Sequence, residues 1–372
     1  NSMLGGMAYQ DPDRVKIKKL HIDEISQINS EIADNATDIF IYDTSKDSDG
    51  GAWRKRTSHT SWYNEPLGTV TRGTRKEFPA VAVIISTTTK VTIYDGDDPN
   101  LPMWMVFNAD SGGFDNRALI QYTGQNGYPT AALNGVLMLG QRTNGDNWGN
   151  PIVNFISEYI VRADPQSTEG GQFNGTISQR NDRVGFKVKG SGPIIPNSQI
   201  NAVAMIVQPN APIDPGSGLP TPTIALAHEA GISIITDVNN NTVKNINTDS
   251  SVGSGVDFID FYNETSIVCG WDTVGNGNRN TYTYIIPTNA TNSASTSSIV
   301  NGRYVDFSTG SGSQIYYSQD AARVTKVLGL KDNRFIMVPN SYNPALTLID
   351  ENTADSNAPN GMSAFIDTDF NT

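Results

Sequence analysis

Two clusters of acidic side chains mark predicted turns beside strands. The first cluster holds Asp43, Asp47 and Asp49, and the second holds Asp95, Asp97 and Asp98. Clustered carboxylate oxygens are ligands that Ca²⁺ prefers, so each cluster is a candidate metal site. Neither cluster has the spacing and terminal Glu of an EF-hand loop, and Asp beside Gly at a strand end is typical of a plain turn. Both readings stay open, and Ca²⁺ is the one cofactor that the sequence raises.

A second candidate site combines basic and aromatic side chains in an otherwise acidic chain. The segment 51–78 begins Gly-Ala-Trp-Arg-Lys-Arg-Thr-Ser-His-Thr-Ser-Trp-Tyr-Asn-Glu. The residues predicted to bind a partner are Trp53, Arg54, Lys55, Arg56, His59, Trp62 and Tyr63. Because Trp, Tyr and Arg dominate binding hot spots, the segment predicts contact with an acidic neighbouring subunit or stacking on a sugar. The alternative is a long loop in which Trp53 and Trp62 belong to the core and the charges are solvated.

Sequence signatures of catalysis are missing from the chain. No serine lies in a Gly-x-Ser-x-Gly elbow, and no Gly-x-x-x-x-Gly-Lys loop is present to hold a phosphate. The 38 acidic residues allow many carboxylate pairs, but spacing in sequence does not report separation in space. We therefore predict no catalytic residue and interpret the chain as a binding or structural component.

Cysteine, histidine and charge restrict the kinds of partner. One cysteine, Cys269, excludes an intrachain disulfide and a thiolate zinc site, and its apolar run 266–271 predicts that it is buried. With three histidines, a histidine metal centre is also disfavoured. The formal net charge of -12 repels phosphate and anionic lipid, which argues against nucleic acid and membrane surfaces. Neither a transmembrane helix nor a secretory signal is predicted.

Alternating apolar and β-branched residues predict short strands along most of the chain. Charged residues make up 17% of the sequence, and 34 glycines and 19 prolines supply turns. A strand at 39–43 is followed by pairs that repeat one plan: an apolar strand, a loop and a β-branched strand. The predicted pairs are 80–85 with 90–95, 135–139 with 152–156, 223–227 with 231–237, 266–269 with 281–286, and 334–338 with 345–350. Further strands are predicted at 184–188, 202–207, 256–261 and 324–328.

Such recurring units, each too small to bury its own face, are typical of a β-propeller. We predict an all-β fold with about six irregular blades, and five or seven also fit the count. The last segment, 361–369, is predicted to pair with 39–42 and to close the ring, which removes two open sheet edges. The alternative is a pair of β-sandwiches divided near the Pro-rich stretch 209–222.

One helix precedes the strands. Residues 16–34 carry isoleucines at helical spacing, namely Ile22, Ile25, Ile28 and Ile32. We therefore divide the chain into an N-terminal arm and short helix at 1–36 and a propeller-like repeat domain at 37–372. The helix is interpreted as an attachment or oligomerisation element, with packing on the main domain as the alternative.

Several strings of the sequence are distinctive. They are the run from Asp43 to Glu65, the run Arg72-Gly-Thr-Arg-Lys-Glu-Phe-Pro-Ala-Val-Ala-Val, the segments 223–227 and 231–237, and the terminal 360–371. In these strings the chain resembles virion structural proteins of marine tailed phages, including those of cyanobacteria. The resemblance covers most of the chain and implies a particle component located in the virion. It implies no catalytic residue, and it implies that the chain continues into further domains.

The sequence therefore predicts a tail- or fibre-associated virion protein. Its β-repeat surface is expected to bind a host receptor or glycan, or to contact other virion subunits, and it is compatible with an oligomer. The alternative is a tailspike-like glycan hydrolase or lyase that uses carboxylates in the funnel of the propeller.

Overall fold

The chain folds into successive sheets, each built from strands that are consecutive in sequence. The computed structural model describes residues 36–110, 118–121, 127–141, 149–165, 171–187, 192–247, 255–272 and 279–285, and the strands at 303–305, 324–329, 334–339, 346–350 and 362–366. In these residues 23 strands form five sheets of five, six, four, four and four strands.

The first two sheets contain eleven strands. Sheet 1 is β1 (Asp38–Asp43), β2 (Val81–Ser86), β3 (Lys90–Asp95), β4 (Met103–Asp110) and β5 (Ile120–Gln121). Sheet 2 is β6 (Thr130–Leu133), β7 (Val136–Leu139), β8 (Asn150–Asn154), β9 (Ile160–Ala163), β10 (Gln172–Phe173) and β11 (Phe186–Lys187). Each strand pairs antiparallel with the next, apart from the short parallel pair β4 and β5.

The remaining three sheets are four-stranded antiparallel meanders. Sheet 3 is β12 (Ile200–Ile206), β13 (Thr223–His228), β14 (Gly231–Asp237) and β15 (Thr242–Asn247). Sheet 4 is β16 (Val256–Asn263), β17 (Ser266–Asp272), β18 (Arg279–Ile285) and β19 (Arg303–Val305). Sheet 5 is β20 (Val324–Gly329), β21 (Arg334–Pro339), β22 (Leu346–Asp350) and β23 (Met362–Ile366).

Buried side chains on both faces of sheet 3 show how the sheets pack. Side chains of successive strand residues point to opposite faces, so β13 divides its apolar residues between two cores. Ala225 and Ala227 pack with Ile259 and Cys269 of sheet 4. Ile224 and Leu226 pack on the other face in a core whose members from sheet 2 are Val136, Met138, Ile152, Val161 and Ala163. Sheet 3 is therefore an inner layer between two neighbouring sheets.

The same face-to-face packing joins the other sheets. Sheets 1 and 2 share a core that includes Ile84, Trp104, Leu137 and Phe155. The first strand of each sheet contacts the first strand of the next, in the order β1, β6, β12, β16 and β20. Meanders that stack in sequence order with their first strands adjacent form an all-β, propeller-like fold. This fold was predicted from the sequence, with about six blades; the described residues form five sheets.

Two interpretations of the sequence are wrong, namely the two-sandwich alternative and the pairing of the last segment with β1. The stretch 209–222 does not divide two sandwiches, because it joins β12 to β13 within sheet 3. The last strand does not pair with β1: Leu346 of β22 lies opposite Ile366 of β23, so the segment completes sheet 5. The five predicted strand pairs do lie next to each other in their sheets.

Helical structure in the described residues consists of three short 3-10 helices, at Thr44–Lys46, Ala52–Arg56 and Ile177–Gln179. None of the helices in this part of the chain has the length and apolar composition needed to cross a bilayer. The predicted N-terminal helix lies outside the described residues, so its role and the division at residue 36 stay predictions.

Candidate functional site

The segment between β1 and β2 is the largest structured insertion in the described part of the chain. It runs from Thr44 to Ala80 and carries the predicted basic and aromatic patch. Its backbone is tied to sheet 1, because Gly73 N donates to Trp104 O at 3.0 Å and Val106 N donates to Thr71 O at 2.9 Å. A long loop with such contacts is a structured element and is characteristic of segments that carry function.

Aromatic rings anchor the insertion in the core shared by sheets 1 and 2. Trp53 and Trp62 are each 0% exposed. The Trp62 ring lies edge-on to Trp104 at 5.4 Å between centroids, and Phe78 lies 4.8 Å from Trp104. The indole N–H of Trp62 donates to the Phe155 carbonyl at 2.8 Å. Both tryptophans are thus core residues, as the alternative reading holds, and the prediction that they contact a sugar or partner is corrected.

Asp47, a predicted metal ligand, is instead the acceptor for three groups of the protein. Its Oδ2 accepts hydrogen bonds from Tyr42 Oη at 2.7 Å and from Trp53 Nε1 at 2.6 Å. Its Oδ1 accepts one from the Asn134 backbone N–H at 2.7 Å. Burial raises the pKa of Asp47, while these donors oppose the rise. The carboxylate therefore ties the insertion to the turn between β6 and β7.

The other two candidate ligands serve local turns. Asp43 accepts a hydrogen bond from Ser45 N at 3.0 Å. Asp49 accepts one from Gly51 N at 3.1 Å and forms an ion pair with Arg56 at 2.9 Å. In the ranges that the structure describes, no group of three His, Cys, Asp or Glu side chains is placed to hold a metal ion. The carboxylates of Asp43 and Asp49 thus serve the local turns of the insertion, whereas Asp47 also bonds Tyr42 of β1 and Asn134 of the β6–β7 turn.

The second acidic turn is engaged in the same way. Arg75 Nη1 lies 2.7 Å from an oxygen of Asp95 and 2.7 Å from an oxygen of Asp97. Asp97 also accepts hydrogen bonds from the backbone N–H groups of Ala80 and Val81, at 2.8 and 3.0 Å. Although partial burial acts against it, these bonds and Arg75 lower the pKa of Asp97.

The remaining predicted binding residues lie on a turn above the buried rings. Lys55, Arg56 and His59 are exposed, and Arg54 and Tyr63 are half-buried. Arg54 is held in place because its guanidinium donates to the carbonyls of Gly51 and Phe78, at 3.2 and 3.1 Å. We call residues 54–59 the basic turn. The side chains of Lys55, Arg56 and His59 face solvent, while the buried rings of Trp53 and Trp62 anchor the chain on either side.

Two buried arginines, Arg72 and Arg180, stabilise the part of the insertion that includes Glu65 and Thr71. Neither was selected from the sequence as a functional residue. Arg180 Nη1 lies 2.8 Å from Glu65 Oε2, and its Nη2 donates to the Thr71 carbonyl at 2.7 Å. Arg72 lies over the Trp104 ring at 4.4 Å and donates to the Trp104 carbonyl at 2.9 Å. Burial lowers the pKa of Arg72 to about 10, with Glu65 opposing the shift. Arg180 is distant in sequence, so no local motif reveals this network.

The one buried serine and histidine pair in the described residues is not arranged for nucleophilic attack. His228 Nδ1 accepts the Ala230 N–H at 3.2 Å, so the proton of the neutral ring lies on Nε2, 2.9 Å from Ser233 Oγ. The serine hydroxyl in turn donates to Asn245 Oδ1 at 2.7 Å. A catalytic base must accept the serine proton. Here the histidine donates to the serine, and the serine donates to Asn245. Both side chains are 0% exposed, which fits a satisfied core histidine.

Comparison with known proteins identifies no family for this chain. No protein-family profile matches the chain, and no curated protein matches it. Among solved structures it is similar to the WD40 domain of SCAP from fission yeast, with 9% sequence identity, coverage of 77% of this chain and 73% of that one, and a TM-score of 0.31. A TM-score this low supports no conclusion about function, and the propeller-like fold follows from the order of the sheets.

Proposed function

We propose that the protein is a structural and binding component of a phage virion, associated with the tail or its fibres. The binding role is supported by the basic turn, because its basic side chains are exposed while buried aromatic rings fix the backbone of the insertion. Preorganised side chains bind more tightly because less conformational entropy is lost on contact. The assignment to a virion is supported by the resemblance of the insertion sequence to phage virion proteins.

The partner at the basic turn is an acidic neighbouring subunit. The chain as a whole carries a formal charge of -12, while the basic turn presents Lys55, Arg56 and His59 to solvent. A local cationic surface on an acidic protein favours an anionic partner and fixes the register of the contact. A second copy of this chain, or another acidic virion subunit, has the required charge. The tryptophans are buried, so charge and not ring stacking is the main source of recognition here.

Charge reversal on the basic turn tests this proposal. The side chain of Arg56 is 53% exposed and pairs with Asp49. Arg183 is a matched control, since its side chain is 56% exposed and pairs with Asp110 at another place in the fold. We expect Arg56→Glu, and more strongly Lys55→Glu/Arg56→Glu, to reduce the amount of this protein per purified particle about tenfold, while Arg183→Glu leaves it unchanged.

Each outcome has a definite meaning. Equal incorporation of the double variant and the wild-type protein rules out the basic turn as the contact. Absence of the wild-type protein from purified particles rules out the virion role. Release of sugars from host polysaccharide by the purified protein favours the hydrolase or lyase alternative.

A further inference from the structure

A second candidate site lies in a cleft between sheets 2 and 3. Loop 207–222 forms one side of the cleft, and the other side is formed by β8, the β6–β7 turn and the β14–β15 turn. The space amounts to about 360 Å³, part of it open to solvent. Within this space, the volume that the centre of a water molecule can occupy is about 20 Å³, which is enough for about one hydroxyl-sized group. The lining shares no residue with the basic turn.

The polar side of the cleft is organised around Asp214. Its Oδ2 accepts hydrogen bonds from Ser217 N at 2.8 Å and Asn154 Nδ2 at 3.3 Å, and its Oδ1 accepts one from Asn239 Nδ2 at 2.9 Å. A carboxylate has about four acceptor positions, so one stays available for a ligand donor. Asp214 is 9% exposed and has no cationic partner among the described residues. Its charge is thus balanced only by neutral donors.

The apolar side of the cleft consists of the half-buried ring of Tyr159 with Pro220, Pro222 and Val238. The Tyr159 ring packs on the core shared by sheets 2 and 3, which fixes its position. Its hydroxyl makes no hydrogen bond to a described residue, so it is able to bond a ligand. Burial raises the pKa of Tyr159, so the hydroxyl keeps its proton at neutral pH.

We propose that this cleft binds one pyranose residue of a neutral glycan. A pyranose has an apolar C–H face that packs on an aromatic ring and prolines, and it has hydroxyl groups that donate to a carboxylate. One hydroxyl fits the enclosed space, while the ring lies over the mouth. Asp214 is the one charged side chain among the lining residues, so an acidic sugar is repelled. A divalent cation is disfavoured as well, since it prefers several charged oxygen ligands.

Ligand-observed NMR on the full chain tests the proposal with glucose, galactose, mannose and N-acetylglucosamine at millimolar concentration, followed by calorimetry with the best binder. Asp214→Asn removes the charge of the acceptor, and we expect the affinity for the sugar to fall about tenfold or more. Tyr159→Ala removes the aromatic ring and we expect a similar loss of affinity, whereas Tyr159→Phe keeps the ring and is expected to reduce affinity about threefold.

Asp98→Asn is the matched control. Its carboxylate also accepts turn hydrogen bonds, from Asn100 N at 2.8 Å and Asn100 Nδ2 at 3.1 Å, but it does not line the cleft and bonds no residue that does. We expect this variant to bind like the wild-type protein. The proposal is overturned if none of the four sugars binds, or if neither Asp214→Asn nor Tyr159→Ala weakens binding in a protein that still unfolds cooperatively. Binding that depends on added Ca²⁺ and is lost with a chelator assigns the cleft to a cation instead and also overturns it.

Discussion

The indole N–H of Trp62 donates to the carbonyl of Phe155, 93 residues further along the chain, at 2.8 Å. This bond joins the insertion of sheet 1 to the end of β8 in sheet 2. The Trp62 and Phe155 rings also meet edge to face, with centroids 6.0 Å apart. The insertion is thereby part of the core, and the position of the basic turn is set by the fold.

Replacing Trp62 is expected to destabilise the whole fold. Trp62→Ala removes a fully buried ring and leaves the Phe155 carbonyl without its donor, so we expect a loss of about 3–5 kcal/mol in the free energy of unfolding. Val70→Ala is the control, because Val70 is 92% exposed and its truncation is expected to change stability by less than about 0.5 kcal/mol. Denaturant unfolding measures both, and equal stabilities show that Trp62 does not anchor the insertion.

Asp47→Asn is expected to destabilise the junction between the insertion and sheet 2. The amide keeps one acceptor oxygen and replaces the other with an NH₂ group, which cannot accept a hydrogen bond. At least one of the three donors, Tyr42 Oη, Trp53 Nε1 and Asn134 N, therefore loses its acceptor. An unsatisfied buried donor costs about 1–3 kcal/mol. Asp43→Asn is a control, since Asp43 caps an exposed turn. Thermal unfolding with the same midpoint for both variants speaks against the role of Asp47.

His228 is expected to make stability depend on pH. Burial lowers its pKa to about 3, below the ordinary value of 6.5. Between these values the unfolded chain binds one more proton than the folded chain, so the contribution of His228 to stability is lost as pH falls from 6.5 toward 3, by about 1.4 kcal/mol per pH unit. Carboxylates also titrate at the acid end, so the range from about pH 6.5 to 5 is the informative one.

The comparison of two variants isolates this effect. His228→Gln is expected to flatten the dependence of unfolding free energy on pH in that range, whatever its absolute stability. His59→Gln changes an exposed histidine and is expected to keep the slope. A slope that persists in His228→Gln assigns the titration to other groups.

Cys269 is expected to be inert until the protein unfolds. It is fully buried between sheets 3 and 4, and burial raises its pKa well above the ordinary value, so little thiolate forms and a reagent cannot reach it. A thiol reagent such as DTNB is expected to leave the native protein unlabelled and to label it fully in denaturant. Rapid labelling under native conditions contradicts the packing of β17 against sheet 3.

The periodicity of apolar residues predicts most of the strands, but it does not decide how every strand pairs. The runs 223–227 and 231–237 predicted a pair, and Ile224 does lie opposite Ile235. The Pro-rich stretch at 209–222 supported the two-sandwich alternative, which is wrong, because proline marks a loop but does not say whether the strands on either side share a sheet. The last strand was assigned to β1, since an edge strand offers pairing groups to any partner and the sequence does not choose between them.

The functional residues were harder to predict than the strands. Trp53 and Trp62 lie in a segment without regular periodicity, so no alternation told whether their rings point inward. Asp47 was proposed as a metal ligand because it clusters with Asp43 and Asp49 in the sequence; its donor Asn134 is 87 residues away, so the sequence does not reveal that hydrogen bond. The cleft was not predicted at all, since Asp214 and Tyr159 come together only when loop 207–222 folds against β8.

Hydrogen–deuterium exchange of the insertion tests the central claim most directly, which is that the basic turn stands on a core-anchored element. The amide of Thr60, which closes a turn inside the insertion, and the amides of Gly73 and of Val106 in β4, which join the insertion to sheet 1, are expected to exchange about as slowly as those of the β2–β3 hairpin. Exchange of the insertion amides at the rate of an unstructured chain, while the hairpin stays protected, contradicts a fixed basic turn and with it the proposed contact.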